Sequence, residues 1–196
     1  MTALKGGDPA AVVGARDPRI TPGSRADIGL LNTAVVGVLG RMAGTNPPNL
    51  FTTLGRNRRL FRGWLRFAGS LMPRGRLTRR QTEMVILRVA HRRSCAYELE
   101  HHRRLGAKAG LTSSEIEALG TVDVTENRRW SGSDSVLLRA TDQLLDRRDI
   151  DDEVWADLTR ILDDRRLIEL VLLVGHYDML ATTIGALRIA PDRPRG

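Results

Sequence analysis

Four side chains within one short window carry the chemical potential of this chain: Glu83, Cys95, Glu98 and His102. Cys95 is the only cysteine, and the same window holds three of the four histidines, His91, His101 and His102. On a helix, Cys95, Glu98 and His102 stand at i, i+3 and i+7 and share one stripe, which Leu99, Leu105, Gly106 and Ala109 extend. Glu83 is spaced i, i+4, i+7 with Leu87 and Ala90, so it lies on or beside an apolar helix face. Burial of a carboxylate beside an imidazole raises the carboxyl pKa and lowers that of histidine, while their attraction opposes both. A pair balanced in this way passes a proton near neutral pH. A cysteine one turn away supplies a thiolate where the local field is positive.

Each residue also has a plainer reading. A lone Cys95 packs as a small hydrophobe. Glu98 and His102, four apart, form a helix-supporting pair worth about 0.2–0.5 kcal/mol, and Glu83 ion-pairs with Arg80 on its own helix. His91 and His101 fall off the stripe and read as surface residues. All four chemical residues are possible metal ligands, but their spacing fits no common zinc pattern, and no metal is expected.

The elements that must position these groups follow from local signals. Thr78 and Gln81 have capping-box spacing and start a helix that runs to about residue 92. Ser94 is expected to cap the next helix, to about residue 109, with Gly110 closing it in a left-handed conformation. The short turn around Arg93 favours an antiparallel pair, so Glu83 approaches His102 across it. Thr112 and Glu115 form a second capping box ahead of a short helix to Leu119. Upstream, a helix is expected over 28–42, a turn over 45–49, and one helix over 50–71 whose aromatic stripe, Trp64 included, packs in the core or lines a pocket. Downstream, 120–134 reads as a loop holding Trp130, followed by helices over 135–147, 152–162 and 164 to about 189. The last contains His176 and Tyr177, core residues by default and pocket-lining residues otherwise. No stretch alternates at period two, so the class is all-α. Residues 1–25 read as a disordered arm, 26–190 as a single domain and 191–196 as a loose tail.

Composition narrows the function. The net charge is +8, and lysine occurs only at Lys5 and Lys108. The arginines are scattered, with acids between them and no interleaved aromatics, which argues against a nucleic-acid partner. No run of eighteen apolar residues and no signal-peptide core appear, so no membrane association is expected. A single cysteine fits a reducing cytoplasm.

Glu83, then Cys95, then His102, with the run Cys95-Ala96-Tyr97-Glu98-Leu99-Glu100-His101-His102, resembles the core motif of the carboxymuconolactone decarboxylase-like, or alkylhydroperoxidase D-like, superfamily. The resemblance is clear over 50–119. In the peroxidase branch the pattern is Glu, a spacer and Cys-x-x-Cys-x-x-x-His. Here the second cysteine is replaced by Glu98, so the two-thiol disulfide cycle cannot run inside the chain. Tyr97-Glu98 followed by His102 is instead similar to the decarboxylase-like branch, which uses no cofactor. The resemblance implies an all-helical bundle assembled as trimers or hexamers. It also implies a small-molecule substrate, a carboxylated lactone that loses carbon dioxide and is protonated at carbon. His102 would be the general acid/base with Glu98 or Glu83 as its partner, an arginine would hold the substrate carboxylate, and Trp64, Tyr97, His176 and Tyr177 are candidate substrate-lining residues. The alternatives are peroxide or thiol chemistry at Cys95, and a non-catalytic binding protein on the same scaffold.

Overall fold

The computed structural model describes residues 17–43, 46–72, 74–121, 130 and 132–192. They form α1 (Arg25–Ile28), α2 (Leu30–Ala43), α3 (Asn49–Leu54), α4 (Arg58–Leu71), α5 (Arg79–Arg92), α6 (Ala96–Lys108), α7 (Ser113–Ala118), α8 (Ser133–Arg147), α9 (Asp152–Ile161) and α10 (Asp164–Leu187). No strand occurs among the described residues, and the fold is all-α. Most of the arm expected over 1–25 and most of the tail expected over 191–196 lie outside the described residues, as does much of the loop that holds Trp130.

The described residues divide into two compact units. One takes the chain before Trp64 and after Thr182, and the other runs Trp64–Thr182. In the first, Ser24 caps α1 through a capping box with Asp27. The chain is held from Arg19, whose N–H donates to the Leu187 carbonyl, and Gly23 N–H donates to Thr52 O. At the other end Asp192 accepts from the backbone of Asn49 at 2.7 Å. The single helix expected over 50–71 is two, α3 and α4. Gly55, Arg56 and Asn57 make the break, and Asn57 Oδ1 accepts from the Leu60 N–H at the start of α4, the competition with the backbone that places asparagine at helix starts.

The second unit contains the large core. Met84, Val85, Ile86, Leu87 and Val89 of α5 are buried among Leu119, Leu137, Leu138, Leu158, Leu170 and Leu173. α5 packs on α6 and α8, and α8 on α9. α10 is long and apolar enough, by length and composition, to pass for a membrane span, contrary to the expectation that no stretch does. Its few charges interrupt any unbroken apolar run, and its Leu167, Leu170, Leu173 and Val174 side lies in the core.

Candidate active site

The site is built on the α5–α6 pair. Thr78 and Gln81 form the expected capping box at the head of α5. The loop before it is held by the buried Glu169 of α10, which accepts from the backbone N–H groups of Arg76 and Leu77 at 2.6 and 3.0 Å. From Thr82 to Ala90 every α5 side chain is buried, so whatever polar groups the sequence puts there are taken out of water. The turn to α6 is tight: Ser94 has φ of +50°, and the Cys95 N–H donates to the Ala90 carbonyl. Ser94 is therefore in the turn, and Cys95 takes the N-cap position that the sequence reading gives to Ser94. The pair is antiparallel, since Ala90 near the end of α5 meets Cys95 at the head of α6, while Glu83 near the start of α5 meets His102. Gly106 allows the close approach: a Cβ there would stand 3.0 Å from Leu87 Cδ1 and 3.8 Å from Glu83 Cβ.

His102 lies between two carboxylates. Its Nδ1 is 2.7 Å from Glu83 Oε2, and its Nε2 is 3.4 Å from Glu98 Oε2. All three side chains are buried. Burial alone would lower the imidazole pKa. The hydrogen bonds to Glu83 and Glu98 and the charges of both outweigh it, holding His102 up at about 9. The expected balance near neutrality is therefore displaced, because two carboxylates rather than one face the ring, and His102 is an imidazolium at pH 7. The other Glu83 oxygen, Oε1, is 2.7 Å from Arg79 Nη2, and Arg79 is 41% exposed. Arg80, the partner expected for Glu83, pairs instead with Glu115 and Asp134. Glu98 Oε1 is buried without a hydrogen-bond partner, and Glu83 Oε1 has the ion pair with Arg79 but no hydrogen bond.

Aromatic residues form one wall. Tyr177 stands edge-on to His102 with ring centroids 5.2 Å apart, and His176 is edge-on to Tyr177 at 5.2 Å. Trp64 stacks on His176 at 5.9 Å, with Phe67 at its edge. Burial lowers the His176 pKa, with the Glu98 charge acting against that, so His176 is neutral. Three of the four candidate lining residues, Trp64, His176 and Tyr177, are thus brought together beside His102. Tyr97 pairs with His101 instead, at 5.0 Å. His91 and His101 are half-buried rather than on the surface.

Cys95 is buried, and its thiol is pushed up to about 11, first by burial and also by the Glu98 charge, against the backbone N–H groups of Glu98 and Tyr97. Both nitrogens of His102 already face carboxylates, so neither is left to deprotonate it. Among the described residues no group of three or more His, Cys, Asp or Glu side chains is placed to hold a metal: Glu83 and Glu98 converge on one imidazole, not on a common point. Sequence reasoning missed Arg79. Its i, i+4 spacing to Glu83 was the available signal.

The segment 58–127 matches the model of the Carboxymuconolactone decarboxylase family. No curated protein matches the chain. Among solved structures, the chain is similar to an uncharacterized peroxidase-related protein with an alkylhydroperoxidase core from Ralstonia eutropha JMP134, with a TM-score of 0.78 at 14% identity over 91% of this chain and 94% of that one. A second peroxidase-related protein, from Silicibacter sp. TM1040, gives 0.74 at 16% identity over 91% and 95%. A debrominase in its apo form gives 0.73 at 14% identity over 88% and 91%. Over 58–127 the chain is thus similar to the Carboxymuconolactone decarboxylase family, and it shares its all-helical fold with these solved structures.

Proposed function

We propose that this chain is a cofactor-free enzyme for a small organic substrate, with His102 as its general acid and Glu83 and Glu98 as the groups that orient and recharge it. The observation that carries this reading is the buried imidazole with a carboxylate facing each nitrogen. The Nδ1 side is fixed by Glu83 at 2.7 Å, whereas the Nε2 contact to Glu98 is loose at 3.4 Å. The Nε2 proton is therefore the one a substrate can take. In a decarboxylation of a carboxylated lactone, the C–C bond to the carboxylate breaks and carbon dioxide leaves. The electron pair moves into the conjugated carbonyl, and carbon then takes a proton from Nε2. Water returns that proton to His102, whose raised pKa makes recharging at neutral pH favourable.

The redox alternative has less support. Glu98 occupies the place of a second thiol, and Cys95 remains protonated at neutral pH. The test is to assay unsaturated carboxylated lactones for carbon dioxide release in heavy water. One solvent deuterium on the product carbon, with loss of turnover in His102→Gln, supports the proposal. Consumption of peroxide with a thiol donor, abolished in Cys95→Ser, would replace it.

The proposal includes a homo-oligomer, a trimer or hexamer, in the cytoplasm. Trp155, Ile168, Val171 and Leu172 line an exposed apolar groove of about 360 Å³ on α9 and α10, a surface that a second copy of the chain would cover. A light-scattering mass equal to the 21.7 kDa monomer would remove this part.

A further inference from the structure

Two hydrogen-bond donors beside His102 are under-used. Arg79 stands on the first turn of α5, and among the described residues its contact with Glu83 Oε1 is its only ion pair or hydrogen bond. A guanidinium carries five donors in one plane, so a single contact through Nη2 leaves a whole edge open. Other arginines of this unit are committed to acids: Arg88 to Asp142, Arg80 to Glu115 and Asp134, and the exposed Arg93 to Asp178. The second donor is the buried Tyr177 Oη. Its partner is the Met72 sulfur at 3.9 Å, a weak acceptor. Burial, followed by the charges of Glu98 and Glu83, holds the Tyr177 pKa well above 10, so the phenol keeps its proton. Tyr177 stands edge-on to His102 at 5.2 Å, and Arg79 meets the Glu83 carboxylate that holds the same imidazole, so both donors border one ring.

We infer that Arg79 and Tyr177 form an anion subsite, in which the open edge of the guanidinium and the phenol O–H take the oxygens of a substrate carboxylate and hold the reacting carbon beside His102. A planar fork matches a carboxylate with two parallel bonds, which a lysine at the same place would not reproduce. Arg79 is partly exposed and reaches the buried Glu83, so an anion meets it on the way in. Glu83 thereby has two tasks, fixing His102 through Oε2 and Arg79 through Oε1. This inference rests on the acid/base reading above and adds the residues that choose the substrate.

The probe is maleate, a planar unsaturated dicarboxylate, titrated into the full chain while the Arg79 and His102 side-chain NMR signals are followed. Maleate is expected to shift both signals and to bind at least about tenfold more weakly to Arg79→Gln, with partial recovery in Arg79→Lys. Tyr177→Phe should weaken it roughly threefold, the scale of one hydrogen bond. The uncharged maleamide should not distinguish wild type from Arg79→Gln. Melting temperatures close to wild type show that the variants fold. The subsite is overturned if maleate binds Arg79→Gln as well as wild type, or if it leaves both signals unmoved at tens of millimolar. With a lactone substrate, Arg79→Gln should raise KM more than it lowers kcat. An unchanged KM in Arg79→Gln, with turnover lost in His102→Gln, sinks the subsite alone. Arg79-dependent maleate binding without turnover of any lactone sinks the decarboxylase reading and leaves the subsite standing.

Discussion

Glu83 and Arg88 are buried charges of opposite sign little more than one turn apart on α5, and they are satisfied to very different degrees. Arg88 lays a two-pronged bond on Asp142, both contacts at 2.7 Å, and its Nη1 donates to the carbonyls of Leu119 and Thr121. That tie joins α5 to α8 and to the end of α7, and it leaves little for a ligand. Glu83 shares its charge between His102 and a partly exposed Arg79, next to a Glu98 oxygen that nothing satisfies. The difference teaches how one helix can serve two purposes. A fully paired buried charge fixes structure, whereas an incompletely paired cluster keeps donors and acceptors for a substrate.

The sharpest way to break this comparison is to remove each charge and ask what is lost. His102→Gln and Glu83→Gln should each lower turnover by roughly 10² to 10⁴, the usual size of a general acid/base contribution. The double variant should be little worse than either single one, since the residues act as a unit. Arg88→Met should instead lower the free energy of unfolding by about 3–5 kcal/mol, measured in urea, because it removes both short bonds to Asp142, leaving it only Arg92 at 3.6 Å, and strips the Leu119 and Thr121 carbonyls of their donor. Turnover per folded molecule should persist. Activity lost in Arg88→Met at unchanged stability would erase the distinction.

A smaller effect sharpens it. The His102 pKa is raised from 6.5 to about 9 in the folded chain, so the native state holds a proton that the unfolded chain releases between those values. Its stabilisation is complete below pH 6.5 and is lost as pH rises through about 9. The full contribution is on the order of 3 kcal/mol, read as a falling melting temperature over that range. His102→Gln should flatten this slope, while Arg88→Met, lower in absolute stability, should keep it.

The smallest effect belongs to Cys95. Cys95→Ser should leave turnover nearly unchanged and cost about 1 kcal/mol of packing, the typical size for one conservative buried change. Abolished turnover in a folded Cys95→Ser protein would move the chemistry to sulfur.

Much of this site was readable from local rules. The capping boxes at Thr78 and Thr112, the left-handed Gly110 and the Cys95–Glu98–His102 stripe all depend on spacings of three to seven residues, and the structure shows them as expected. The Glu83–His102 contact followed from the shortness of the turn between α5 and α6. What local spacing could not decide was the choice among arginines. Arg79 and Arg80 both stand within reach of Glu83 on a helix, but Glu115 and Asp134, 35 and 54 positions from Arg80, capture it. Arg88 was passed over for the same reason, since its acid lies 54 positions away on α8. The break at Asn57 and the left-handed Ser94 were missed because periodicity registers which face is apolar and not where a turn interrupts it. The displaced His102 pKa needed both carboxylates in place, and Glu98 read from sequence could equally have been a surface helix pair.

The central claim is that Glu83 sets the protonation of a buried His102, and ring-carbon NMR of His102 across a pH titration tests it most directly. The wild-type ring should titrate near 9. In Glu83→Gln the value should fall markedly, because burial then meets only the weaker opposition of Glu98. A His102 that titrates near 6.5 in both proteins would contradict the account, since the imidazole would then be an ordinary, solvated side chain with no partner to tune it.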